Sequence, residues 1–399
     1  MRILEVCPDF PPWAGSGAAE TFRLLAEAWH QMGHEVTVVC SRPASQSGKG
    51  ALDVPYPIQV YQLLNLPAGL HEADYYAPMR PGERQRFLHF VQRESTNYDL
   101  VFVHGFLETI PRMFLLHYPR PAVHKMLSVQ YGVAAAQFSR VFAAGSWLMY
   151  QSIGRLLVSR TEHIVVFSSE ANSELREYFG TLKGTKVFEL TLGIDSASFA
   201  NEYTAFQERL PAAQAWLESR SIHSPFVFAI GRNHRAKGFD LLLESFGQLT
   251  KEFPSLSMVL AGERTPFTRE LEHTIRSRGL QDKVVILGRV SSWERMALLA
   301  TSTVFVIPSR KEGFGLNAVH ARILSKPTVA TLTGAHAQIL GTEGPYWLVE
   351  PGDIPRMTEA LRAALRRGPT NAAIDAKQLA RFDIRSVAHE LLGLLPGRA

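Results

Sequence analysis

In the second half of the chain, short apolar runs alternate with stretches of helical spacing. "FVFAIG" (226–231), "SMVLAG" (257–262), "KVVILG" (283–288), "TVFVIP" (303–308) and "PTVATL" (327–332) read as strands. "FDLLLESFGQLTKEF", "TRELEHTIRSRG", "SWERMALLAT", Leu316–Leu324 and a last stretch near 354–367 read as helices. Such alternation specifies βαβ units, and so a parallel sheet covered on both faces. The first half repeats the theme less evenly. "RILEVC", "HEVTVVC", "YDLVFVHG" and "HIVVFSS" read as strands, with helices at 18–32, near 139–160 and at 170–179. A chain of 399 residues is too long for one core, which rarely grows past about 250–300 residues. The expected fold class is α/β, with two doubly wound Rossmann-like domains facing across a cleft. The expected domains are residues 1–200, residues 201–380, and a C-terminal helix at 381–399 that packs back on the first domain. The join falls near 195–224, where the alternation lapses.

In an open parallel sheet, ligands bind beyond the carboxyl ends of the strands. In the second half those positions hold Arg232 and Lys237, Gly262-Glu263, Arg289, Ser309 to Glu312, and Thr333-Gly334. Glycine, arginine, lysine and two glutamates on a single rim suit an anionic ligand that carries hydroxyls. Gly313 and Gly315 precede a helix start, where bare backbone and free N–H groups favour negative charge. "PPWAGSGAAE" places Gly15 and Gly17 in the same relation to the first helix. The expectation is one anion gripped from both sides. Charge agrees with this. Of 42 Lys/Arg and 37 Asp/Glu, residues 1–195 hold 17 and 18, so the basic excess lies in the second half.

These residues together resemble a known family, the retaining family 4 glycosyltransferases with the GT-B fold. "IGRNHRAKGFDLLLESF" is similar to the family's Gly-Arg…Lys-Gly segment, with Arg232 and Lys237 at its five-residue spacing. "PSRKEGFGL" resembles its Pro-Ser…Glu-Gly-Phe-Gly loop, and "PDFPPWAGSGAAE" its N-terminal glycine loop. "LGIDSASF", "LTGAHAQIL" and "LVEPGD" follow in the expected order. The resemblance implies a nucleotide-diphosphate-sugar donor, used as a substrate with no cofactor, and a glycan, lipid-linked or small-molecule acceptor. It implies that Arg232 and Lys237 contact the diphosphate and that Gly15 and Gly17 approach the same phosphates. Glu312 would hold donor-sugar hydroxyls, with the backbone of Gly313, Phe314, Gly315 and Leu316 nearby, and Val290 would face the base. Transfer would proceed with retention and without a metal, in polysaccharide biosynthesis or a related pathway.

The chain departs from the family pattern at several positions. His320 stands eight residues after Glu312, where the family usually has a second Glu that grips the ribose. Gln130 in "LSVQYG" aligns with the family's active-site His, with His124 and His104 as alternative counterparts. Leu192 replaces a usual Asn, and Gln338 a usual Glu. A glycosyltransferase-like protein that binds a nucleotide, glycan or partner subunit without catalysis is therefore the alternative. Glu312 is also placed to cap the helix near Gly315.

Other features carry less. His30 and His34 have a metal-like spacing, but Gly33 is expected to end the helix between them, so no metal site is expected. Cys7 and Cys40 read as buried free thiols. Arg86, His89 and Arg93 form a basic stripe beside Phe87, Phe90 and Val91. This stripe suits either a solvated face or peripheral contact with an anionic membrane. No nucleic-acid pattern is present. "MRILEVCPDF" does not read as a signal peptide, and no run approaches the roughly 18 apolar residues of a membrane span. The expected location is the cytoplasm, with attachment to the inner membrane face left open.

Overall fold

The structure is a computed structural model. It describes residues 1–14, 17–43, 50, 52–64, 75–106, 108–119, 124–129, 150–159, 161–180, 182, 184–370 and 372–395. The chain divides into two compact units, Met1–Ile194 with Asp383–Ala399, and Asp195–Phe382.

The first unit is built on a parallel sheet. Its strands are β1 (Arg2–Val6), β2 (Glu35–Arg42), β3 (Ile58–Gln62), β4 (Leu100–His104), β5 (His124–Val129), β6 (His163–Val166) and β7 (Lys186–Glu189), in the order β3-β2-β1-β4-β5-β6-β7. The order reverses between β1 and β4. Leu4, Val6, Val101 and Val103 face a core closed by Phe87, Phe90, Val91, Phe114 and Leu175. The apolar residues beside the basic stripe are thus spent on the core. Arg86 instead pairs with Glu83 and lies over the Tyr61 ring, 4.7 Å from its centroid. Phe102 and His104 pack under helix Gly17–Gln31, where they meet Trp29 and Phe22. Helix Ile384–Gly393 returns to this face, and Trp29 Nε1 donates to Ala388 O at 3.2 Å. The expected helix near 139–160 falls outside the described residues up to 149.

The second unit holds β8 (Phe226–Ile230), β9 (Ser257–Ala261), β10 (Val284–Gly288), β11 (Val304–Ile307), β12 (Thr328–Thr331) and β13 (Tyr346–Val349). All are parallel, in the order β10-β9-β8-β11-β12-β13, and the order reverses between β8 and β11. Phe239, Leu242, Phe246, Leu271 and Leu361 cover one face over Val227, Met258, Val304 and Val329. The segment where alternation lapses forms two helices, Ser196–Glu208 and Leu210–Ser219. Among the described residues, no helix is long and apolar enough to cross a membrane.

Two buried ionisable sites give this fold a pH signature. Glu5 Oε1 lies 2.7 Å from His104 Nε2, and both side chains are inaccessible to solvent. Burial pushes the Glu5 carboxyl well up and the His104 imidazole well down. Both shifts favour the neutral forms, because desolvating two charges outweighs their attraction. Glu5→Gln, which keeps a donor, is expected to hold or raise the unfolding midpoint at pH 8. Glu5→Ala should cost about 2–4 kcal/mol in urea unfolding. Equal losses in both variants would show a charged pair instead.

Lys326 is the second site. Its side chain is fully buried, Nζ donates to Ala300 O at 3.0 Å, and desolvation lowers its pKa to about 7. Between that value and the ordinary lysine pKa the unfolded chain binds the extra proton. Stability should therefore rise with pH from 7 towards 10, by up to about 1.4 kcal/mol per pH unit from this group. Urea unfolding at pH 7.5 and 9 should show that rise, and Lys326→Met should flatten it. A rise that persists undiminished in the variant would contradict the assignment.

Candidate functional site

The rim of the second sheet is assembled where β8 and β11 part, and the first constraint there is steric. After β8 the chain passes Gly231, Arg232 and Asn233 into a tight turn at Arg235–Lys237, then Gly238 at φ 67°. After β11 it runs from Pro308 to Gly315, which has φ 106° and opens helix Leu316–Ile323. A Cβ on Gly238 would lie 1.9 Å from Pro308 O, so the two loops touch backbone to backbone. Arg310 fixes this contact. Its backbone N–H donates to Ala236 O at 2.7 Å, and its guanidinium forks onto Asp240 at 2.7 and 2.8 Å. Asn317 Nδ2 donates to Ile230 O at 3.0 Å, which ties the helix start back to β8.

Lys237 and Glu312 meet across this junction. Lys237 Nζ donates to both Glu312 oxygens at 2.8 Å, and Ser309 Oγ donates to Oε2 at 2.9 Å. The side chains are 28% and 16% exposed, which is enough for a ligand to reach them. Burial alone would raise the Glu312 carboxyl. Lys237, His336 and the Lys237 and Ser309 hydrogen bonds outweigh it and hold the group below its ordinary value. Glu312 is thus an ionised acceptor. Its backbone N–H donates to Thr333 Oγ1 at 3.2 Å. Contrary to the expectation from sequence, Glu312 does not cap the following helix. Gly315 is the cap residue and the helix has no side-chain cap, because the carboxylate is turned to Lys237. Among the described residues, the cap residue Gly315 offers no side-chain acceptor to the first N–H groups of that helix, which leaves them suited to an anion.

The other predicted residues fall into three groups. Gly313, Phe314, Gly315 and Leu316 lie in the same loop as Glu312, with Phe314 buried. A Cβ on Gly315 would lie 2.6 Å from the buried His336 ring, whose Nδ1 is 2.8 Å from Thr331 O. Arg232 is exposed, and its guanidinium has no hydrogen bond or ion pair among the described residues. Val290 is half-buried after β10, and its neighbour Arg289 pairs with Glu263 at 3.0 Å. Gly17 is the exposed first residue of its helix in the first unit. Gly15 and Gln130 lie outside the described residues.

His320 is held by protein groups. Arg295 Nη1 lies 2.9 Å from its Nδ1, Phe199 stacks on the ring at 5.1 Å and 19°, and Arg295 also pairs with Glu202 at 2.5 Å. An arginine can only donate, so Nδ1 accepts and the imidazole is neutral. Burial, then Arg295, keeps its pKa well below the ordinary histidine value. Sequence reasoning gives no role to Asn317, His336 or the Arg310–Asp240 fork, which meet the site only through the fold. Gly33 at φ 83° ends the helix between His30 and His34, and no cluster of three metal-ligating residues occurs among the described residues.

An ionised acceptor, a lysine and an arginine without a partner among the described residues thus gather where the strand order of the second sheet reverses. Comparison with known proteins makes the class specific. The Glycosyltransferase Family 4 model matches residues 15–198, and the Glycosyl transferases group 1 model matches residues 218–380. The chain is similar to the lipopolysaccharide core biosynthesis mannosyltransferase LpsB of Rhizobium meliloti. That match is 32% identical over 165 residues, 39% of this chain and 46% of the relative's length. It is also similar to glycogen synthase of Mycobacterium tuberculosis, 25% identical over 391 residues, 92% of this chain and 86% of that protein. Among solved structures it is similar to Anabaena HepE in complex with UDP-glucose. The TM-score is 0.67 at 18% identity, covering 99% of this chain and 100% of the other. Each half of the chain thus matches a glycosyltransferase family model, which makes the chain similar to family-4-type glycosyltransferases along most of its length, and its fold is GT-B.

The loop contact predicts unequal glycine substitutions. Gly279 has φ 65°, and a Cβ added there would meet nothing within 4 Å, so Gly279→Ala should cost about 1–2 kcal/mol of left-handed strain. Gly238→Ala adds a backbone collision and should cost at least twice as much in urea unfolding. Equal penalties would contradict the close approach.

Proposed function

We propose that the chain is a retaining, metal-independent hexosyltransferase. It moves a sugar from a nucleotide-diphosphate sugar to a glycan, lipid-linked or small-molecule acceptor. The observation that carries this reading is the exposed Arg232 guanidinium, without a partner among the described residues and five positions before Lys237 at the switch point. Two cations beside a helix N-terminus supply the counter-charge that a leaving diphosphate needs as the glycosidic bond breaks. The ionised Glu312 accepts hydrogen bonds from donor-sugar hydroxyls, and the Gly313–Leu316 backbone lines the same space. Val290 and its neighbours take the base. The likeness to HepE, solved with UDP-glucose, supports a nucleotide-sugar donor. The first unit is assigned the acceptor.

The second reading, a non-catalytic nucleotide- or glycan-binding relative, draws on His320, which is engaged by Arg295 and Phe199. Sugar transfer or donor hydrolysis by the purified chain would exclude it. Thermal unfolding with UDP, GDP, ADP and their glucosyl or mannosyl forms is expected to show protection by at least one of these pairs. Lys237→Ala should lower turnover by about 10²–10³-fold. Absence of protection by every nucleotide, or a near-wild-type rate in the variant, would overturn the assignment.

A further inference from the structure

We propose that the Lys237–Glu312 ion pair makes the site discriminate between a sugar-bearing nucleotide and the bare diphosphate that remains after transfer, and so speeds release of the spent nucleotide. The inference rests on the donor-site reading above. Lys237 directs two of its three N–H groups at the two oxygens of Glu312 at 2.8 Å. A phosphate that recruits this ammonium meets a carboxylate beside it. If it pulls the ammonium away, Glu312 keeps Ser309 as a donor but loses its cation, in a position that is 16% exposed. Either outcome opposes an anion that brings nothing else.

A sugar nucleotide brings two complementary groups. Its phosphates take the ammonium while its hydroxyls donate to the carboxylate that the ammonium releases. Both charges then remain paired throughout the exchange. Glu312 is kept in place by the Ser309 Oγ bond to its carboxylate at 2.9 Å and by a clamped backbone. Its N–H is held by Thr333 Oγ1, and Gly334 packs so closely that a Cβ there would lie 3.0 Å from Glu312 O. Once the sugar has left, the hydroxyls no longer compensate Glu312. The pair closes again and the diphosphate is weakened.

Calorimetric titration of the full chain with UDP and UDP-glucose, and with GDP and GDP-mannose, tests this. In Glu312→Gln the bare diphosphate should bind at least tenfold tighter than to wild type, and it should inhibit turnover more strongly. The preference for the sugar-bearing form over its diphosphate should fall at least tenfold. Glu312→Ala removes the same charge and should move both quantities in the same direction, which keeps the test intact if the glutamine variant folds poorly. Diphosphate affinity that is unchanged or weaker in both variants would overturn the proposal while leaving the donor site in place. If wild type binds none of the four nucleotides, nor ADP or ADP-glucose, the donor-site reading itself fails and this inference with it.

Discussion

The second unit depends on a backbone contact. Gly238 sits against Pro308 O, and that approach brings the loops following β8 and β11 together at the point where the sheet order reverses. Arg232, Lys237 and Glu312 all hang from these two loops. The Arg310–Asp240 fork, the Asn317 bond to β8 and the Thr333 bond to Glu312 brace the junction from three directions. The result is preorganisation. Lys237 and Glu312 are held at bonding distance of each other on a braced backbone, so both charges are already placed at the rim.

Burial and charge are balanced differently in the two units. In the first, burial favours the neutral forms of a Glu–His pair, which so serves packing under the first helix. In the second, Glu312 remains ionised because a lysine and a hydroxyl compensate it, and it keeps a path to solvent. The same side chain is therefore structural at one position and chemically available at another. His320 belongs with the structural kind. Its ring is stacked, hydrogen-bonded and neutral, where a second carboxylate would carry charge.

Much of this is legible in the sequence. Strands β8, β9 and β11 announce themselves as apolar runs because both their faces are buried, and the edge strand β10 does so through "VVILG" although it is half-buried. The edge strands of the first sheet do not. β3 reads "IQVYQ" and β7 reads "KVFE", half-exposed mixtures without a continuous run, and neither stands out from its surroundings. The glycines and charges of the site are legible because they follow strands at short spacing. Their partners are not, since Ser309 with Glu312 is local but Asn317 with Ile230, Gly315 with His336 and Arg310 with Asp240 join separate segments. The return of helix Ile384–Gly393 to the first unit is expected from chain order, but its anchor, Trp29 to Ala388, depends on tertiary packing.

The central claim is that the β8/β11 rim holds the diphosphate of a nucleotide sugar. A crystal structure with the nucleotide sugar that gives the largest thermal protection tests it most directly. The account predicts phosphate oxygens within hydrogen-bonding distance of both the Arg232 guanidinium and the Lys237 ammonium, with a sugar hydroxyl on Glu312. A nucleotide bound elsewhere, with Lys237 still closed on Glu312 and Arg232 free, would contradict it.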